Sequence, residues 1–268
     1  MTPEPVAETV FDGDFLRARL WLPDRPTTAL YVTFRQWVPD PGSLSQSGPV
    51  QRALTAGHAH LHIQTRWNDW FLNAETPALE AALKATRVRF LTARALGFSM
   101  GGYATLRFSR ALRLNQALVV SPQVSLDPAV VPEEDRYPEA TTFDPIAGDL
   151  ATHARKDLSG VVVFDPFYRL DHLHAGHIAA LLPGMARARL AFGGHPGTAA
   201  LGHVGGFRAL QRLSLSSRLQ ASDVIHLHRD LRAGSMRYWR ERAECCLRKN
   251  RLSAVAAALE RAEALAET

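Results

Sequence analysis

LGFSMGGYATLRFS, residues 96–109, sets a serine among glycines, directly after an apolar run and directly before a helical pattern. Within it Gly97-Phe98-Ser99-Met100-Gly101 has the spacing G-x-S-x-G. The plain alternative is a small residue tolerated in a tight turn. The spacing has a physical reason, however. A sharp strand-to-helix turn lifts the serine hydroxyl above the sheet edge, and a side chain two residues to either side would strike the neighbouring strand or helix. The same turn puts the serine at a helix N-terminus, whose partial positive charge favours a developing anion. The five residues recur by chance in unrelated chains, so the flanking pattern decides.

Upstream, VRFLTARALGF (88–98) reads as a strand, and downstream YATLRFSRAL (103–112) reads as a helix. Further out, Leu16, Ala18, Leu20 and Leu22 alternate with Arg17, Arg19 and Trp21, the period of a half-buried strand. ALYVTF (29–34), HLHIQT (60–65), QALVVSP (116–122), GVVVFD (160–165) and ARLAFGG (188–194) are further strands. Between them PVQRALTAG (49–57), TPALEAALKAT (76–86) and HLHAGHIAALL (172–182) read as helices, with Pro77 suited to a first turn. This alternation predicts an α/β fold with a mostly parallel, doubly wound sheet. Residues 126–157 are rich in Pro and acid, with weak periodicity. From about residue 227 the chain turns Ala/Arg/Leu/Glu-rich and predicts a C-terminal helical pair broken near Lys249-Asn250. Its stripe of Leu247, Leu252, Val255, Leu259 and Leu265 is expected to be buried. The expected division is 1–226 and 227–268.

Composition narrows the class. At 268 residues and 46% hydrophobic, the chain is long enough for one large α/β domain with a sizeable core. The formal net charge is +5, carried almost wholly by arginine, since the lysines are Lys84, Lys156 and Lys249. No dense basic run interleaved with aromatics occurs, so no nucleic-acid partner is expected. Cys245 and Cys246 are adjacent, which offers no disulfide framework and favours a reducing compartment. The opening MTPEPVAETVFDGDF lacks the pattern of a signal peptide, and no apolar run reaches the ~18 residues of a membrane span. A cytoplasmic location is therefore expected. With no H-E-x-x-H or paired C-x-x-C, neither a metal nor another cofactor is expected.

A serine hydroxyl needs a base, and the base needs an orienting acid. Open α/β sheets gather such groups at the carboxyl ends of their strands. Asp165 ends the strand 160–165 and His195 ends the strand 188–194, so these are the candidate acid and base. Asp171 and His203 are the competitors. His172, His174 and His177 lie on the intervening helix and are expected to face solvent.

The chain resembles the α/β-hydrolase superfamily in GFSMGGYA (97–104), VVVFDP (161–166) and LAFGGH (190–195), over roughly residues 11–215. The resemblance implies that Ser99 attacks a carbonyl, His195 shuttles the proton and Asp165 fixes the imidazole. It also implies an oxyanion hole from the Met100 N–H plus a donor from the loop after 29–34, the second donor being the N–H of Phe34 or Arg35 or a side chain. That loop reads Phe34-Arg35-Gln36-Trp37, where many esterases carry His-Gly. Arg35 and Trp37, with Trp67, Asn68, Asp69 and Trp70, would wall a pocket with aromatics, a cation and amides; capping of the core is the alternative for the tryptophans. Residues 126–157 fall where the superfamily inserts lids. The function implied is a serine hydrolase acting on a small-molecule ester or related acyl bond. The alternatives are acyl transfer to an acceptor other than water, and a non-catalytic scaffold working through its C-terminal helices. Those helices could also join copies into a homo-oligomer.

Overall fold

The computed structural model describes residues 7–138, 140 and 142–266. Its strands are β1 (Ala7–Asp12), β2 (Leu16–Trp21), β3 (Ala29–Phe34), β4 (Ala59–Thr65), β5 (Thr92–Phe98), β6 (Gln116–Val120), β7 (Ser159–Phe164) and β8 (Met185–Arg189). They form one sheet in the order β1-β2-β4-β3-β5-β6-β7-β8. β2 runs antiparallel to β1 and β4, and every pairing from β4 across to β8 is parallel. After the antiparallel β1 and β2 at one edge, the parallel part thus starts mid-sheet at β3, winds one way to β4, then crosses back to β5 and outward.

The central strands explain themselves by alternation. Ala93 and Ala95 of β5, Ala117 and Val119 of β6, and Val162 and Phe164 of β7 point to one face. Leu96, Leu118, Val120, Val161 and Val163 point to the other. Both faces are apolar because both are covered, as a parallel sheet requires. Helices α1 (Gln51–Thr55), α2 (Thr76–Arg87), α3 (Met100–Arg107), α4 (Leu150–His153), α5 (Arg169–Leu181), α6 (Gly206–Leu215) and α7 (Ala221–Leu231) do the covering. Leu79 and Leu83 of α2, Tyr103 and Leu106 of α3, Leu150 of α4, and Ala175 and Ile178 of α5 pack on the first face. Ala53 of α1, Leu210 of α6 and Val224 of α7 pack on the second.

Some expectations need correction. β8 runs over 185–189 rather than 188–194, so His195 lies in a loop beyond the strand and not at its end. Only Met185 and Ala188 of this edge strand are buried, so its first half carries almost no apolar signal. Helix α7 spans 221–231 and packs on β7 and β8, so the expected division at residue 226 falls inside it. The helical pair is α8 (Met236–Arg248) and α9 (Leu252–Ala264). The inward residues of α9 are the small Ala258 and Ala262, while Leu247, Leu252 and Leu259 face outward, against expectation. Alanines let two helix backbones approach closely, and that contact displaces the leucines to the outer surface.

Candidate active site

Ser99 occupies the turn between β5 and α3 with φ 48° and ψ −121°, outside the basins an L-residue ordinarily adopts. The glycines make this turn possible. A Cβ on Gly97 would lie 2.4 Å from Thr105 Oγ1 and 2.5 Å from the Gly101 carbonyl oxygen; one on Gly101 would lie 2.7 Å from the Phe34 carbonyl oxygen. The turns of α3 begin with Gly102 and Tyr103 donating to the Ser99 carbonyl. The N–H of Met100 precedes that ladder, at the helix's positive end.

His195 is partly exposed, and its Nδ1 donates to Asp171, 2.8 Å from Oδ2 and 3.1 Å from Oδ1. A carboxylate only accepts, so Nδ1 carries a proton in this contact. Asp171 belongs to the first turn of α5 and is buried. Burial pushes its carboxyl upward, but the His195 hydrogen bond and charge, the Ser121 hydroxyl and the Arg136 guanidinium together hold it below its ordinary value.

The carboxylate bonded to the His195 ring is therefore Asp171, and the expectation that Asp165 would hold it is corrected. Asp165 does end its strand, but its Oδ1 accepts the Phe167 N–H at 2.9 Å and its Oδ2 accepts the Gly194 N–H at 3.0 Å. It is buried, which raises its carboxyl, with the N–H groups of Phe167, Gly194 and Phe192 pulling the other way. It clamps the loop that bears His195 and does not bond the ring. His203, the rival base, is exposed in the turn 199–204.

Among the described residues Ser99 Oγ has two hydrogen-bonding neighbours, Tyr137 Oη at 3.4 Å and Gln123 Nε2 at 3.5 Å, both long contacts. Among the described residues no hydrogen bond joins Ser99 Oγ to His195. Gln123 Nε2 also donates to Tyr137 Oη at 3.2 Å, and Trp70 Nε1 donates to Gln123 Oε1 at 3.3 Å. The Trp70 and Tyr137 rings meet edge to face at 4.9 Å. Trp70 is fully buried in the core and touches the two residues that neighbour Ser99 Oγ. Burial raises the Tyr137 phenol, so it is a neutral donor.

The loop after β3 contributes less than expected. The Arg35 N–H donates to the Ile63 carbonyl at 2.9 Å, and its guanidinium is spent on the Ser43 and Thr65 carbonyls. Arg35 therefore cannot serve as the backbone donor. Phe34 is buried between Phe71 and Phe108. Asn68 clips the backbone of Val38, and Asp69 takes up Thr65, Phe71 and Asn73, so both shape loops. Trp37 is half-buried against the core, and Trp67 is largely exposed.

His174 is also corrected. Expected in solvent, it is fully buried, accepting the Val124 N–H at Nδ1 and donating from Nε2 to Glu134 at 2.6 Å. Sequence reasoning missed Ser121, Gln123, Glu134, Arg136 and Tyr137. The first two have a signal that could have found them: polar residues directly after the apolar strand 116–120, at the carboxyl edge of the sheet. The other three come from the segment 126–157, where no periodicity shows which side chains turn inward.

Among the described residues no cluster of His, Cys, Asp and Glu is arranged to hold a metal ion, and no helix is long and apolar enough to cross a membrane. No protein-family model and no curated protein matches the sequence. Solved structures do match in shape. The capsule O-acetyltransferase of Neisseria meningitidis serogroup A aligns over 79% of this chain and 95% of its own at 12% identity, TM-score 0.55. The bifunctional GH43-CE protein of Bacteroides eggerthii aligns over 75% and 36% at 13% identity, TM-score 0.52. The acylaminoacyl peptidase of Pyrococcus horikoshii aligns over 83% and 44% at 12% identity, TM-score 0.50. Identities this low speak for the fold alone. With the strand order, the antiparallel β2 and the helices on both faces, they show that the chain has the α/β-hydrolase fold.

Proposed function

We propose that the protein is a serine hydrolase of small-molecule esters or related acyl compounds, with Ser99 as nucleophile, His195 as base and Asp171 as the orienting acid. The observation that carries the proposal is the buried Asp171 bonded to Nδ1 of a solvent-accessible histidine, on a sheet edge that also holds a strained serine. Such strain persists only where the surrounding structure enforces it, and it collects at functional sites.

In this reading Ser99 Oγ turns from Tyr137 toward His195 Nε2 when substrate enters, since catalytic hydrogen bonds are often long without it. Oγ bonds to the acyl carbon and its proton passes to Nε2. The carbon–oxygen bond to the leaving group breaks, and the leaving alkoxide takes that proton. Water, deprotonated by Nε2, then attacks the acyl carbon, and the serine–acyl bond breaks to release the acid and restore Ser99. The Met100 N–H faces the oxyanion. The second donor is Gln123 Nε2 or Tyr137 Oη, because both already reach Ser99 Oγ.

The test is hydrolysis of short aryl esters by the wild type and Ser99→Ala. The rate falls by about 10⁴-fold or more if Ser99 is the nucleophile. Equal rates would refute the assignment. Acyl transfer to an alcohol acceptor uses the same nucleophile, and the likeness to an O-acetyltransferase makes it worth including acceptor alcohols in the assay. Failure of both reactions would leave the non-catalytic scaffold.

A further inference from the structure

The segment that was expected to form a lid reaches both ends of the proposed catalytic group through two consecutive residues. Tyr137 Oη lies 3.4 Å from Ser99 Oγ, and Arg136 Nη1 lies 2.7 Å from Asp171 Oδ1. Arg136 is in turn gripped by Glu134. Its Nε donates to Oε1 at 2.9 Å and its Nη2 to Oε2 at 2.5 Å. Glu134 also accepts from buried His174. The side chains of Glu134 and Asp171 are almost wholly buried. An unbroken chain of contacts thus runs His174–Glu134–Arg136–Asp171–His195.

The charges along this chain are fixed by its geometry. His174 accepts at Nδ1 from a backbone N–H, so it is neutral. Glu134 and Asp171 are carboxylates held low, Glu134 to about 2 by Arg136 and His174 against the upward push of burial. Two anions and one cation leave a single net negative charge facing His195. Two carboxylates without the cation would favour the charged form of the imidazole more strongly.

We propose that Arg136 is a positioning residue for the Asp171–His195 pair. It holds Oδ1 so that Oδ2 faces Nδ1, and its charge offsets one of the two carboxylates, Glu134 and Asp171, on that side of the ring. The proposal rests on the functional reading above for its purpose, but its physical content belongs to the resting protein. The remaining groups around His195 are Tyr168, whose ring lies 6.3 Å from the imidazole, Glu241 of α8, which accepts from Tyr168 Oη at 3.0 Å, and Asp165 behind the Gly194 N–H. Glu241 is itself paired with Arg237 at 3.6 Å, and among the described residues Arg136 is the cation bonded to Asp171.

The experiment is an NMR pH titration of the histidine rings of the folded protein, with the His195 signal identified by its loss in His195→Gln. Because it needs no turnover, it succeeds or fails separately from the ester-hydrolysis test. Arg136→Met should move the His195 midpoint up by about one pH unit, the scale of a single nearby charge. Arg136→Lys keeps the charge and should restore the wild-type midpoint. Glu134→Gln removes an anion and should move it down. A purely structural Arg136 would lower the thermal midpoint in Arg136→Met while leaving the titration where it was, and that result would overturn the proposal. Should Arg136→Met fail to fold, an unmoved midpoint in Glu134→Gln would overturn it equally.

Discussion

At the scale of single residues, Ser99 and the two aspartates separate function from stability. The Ser99 backbone lies where only glycine is at ease, at a cost of about 1–3 kcal/mol. Ser99→Gly should therefore raise stability by about 1 kcal/mol once the extra flexibility of the unfolded chain is subtracted. It should abolish ester hydrolysis, as is expected of Ser99→Ala. Chemical denaturation of the two variants side by side measures the difference, and equal stability would mean that the turn is not strained. Asp171→Asn should lower kcat by about 10⁴-fold, because an amide facing Nδ1 sets the wrong tautomer. Asp165→Asn leaves one oxygen for two N–H donors and should act chiefly on stability, by about 1–2 kcal/mol. The reverse ranking of the two would restore Asp165 as the acid. The turn at Ser99 was legible in sequence because glycine punctuation marks local backbone. The choice between Asp165 and Asp171 was not, since both follow the same strand and only the rotation of α5 turns Asp171 inward.

At the scale of elements, close approaches dominate. Gly101→Ala would push a methyl group to 2.7 Å from the Phe34 carbonyl, so α3 or the loop after β3 must shift, for a loss of about 1–3 kcal/mol. Thermal unfolding checks it. The β3–β4 pair carries a second consequence. The Val50 N–H donates to His60 Nδ1, His60 Nε2 donates to Thr33 Oγ1, and the Thr33 hydroxyl donates to His62 Nδ1. Both rings are thus neutral and have no room for another proton. Burial lowers His60 to about 3 and His62 to about 4. The unfolded chain binds these protons below about pH 6.5, so the folded state loses stability as pH falls from there toward 4. The slope of unfolding free energy against pH over that window should flatten in His62→Gln; an unchanged slope would contradict the assignment. The alternating apolar strands announced this layer well. They did not announce β1, a two-faced exposed edge strand, or the start of β8, because edge strands need few buried residues.

At the scale of the whole molecule, the C-terminal helices prove less separable than their composition suggested. Tyr238 of α8 meets the Phe192 ring at 5.7 Å, and Glu241 holds the Tyr168 hydroxyl, so α8 braces the loop carrying His195 from behind. Deleting residues 236–268 should therefore lower ester hydrolysis as well as solubility, although the proposed catalytic residues all precede residue 200. Light scattering on the same preparations reports mass, and a lower mass for Leu252→Glu would support joining of copies through the outer leucines. Full activity in a folded truncation would show that the brace is dispensable. The parallel sheet was readable because strand and helix alternate at fixed lengths. The bracing contact was not, because it joins residues 168 and 241 through a side-chain hydrogen bond that leaves no periodic trace.

The central claim is that Ser99 is a nucleophile activated by His195. A fluorophosphonate probe followed by peptide mapping tests it most directly. The account predicts a single adduct on Ser99, formed much more slowly in His195→Gln and in Asp171→Asn, and absent in Ser99→Ala. An adduct on another residue, or labelling as fast in His195→Gln as in the wild type, would contradict it.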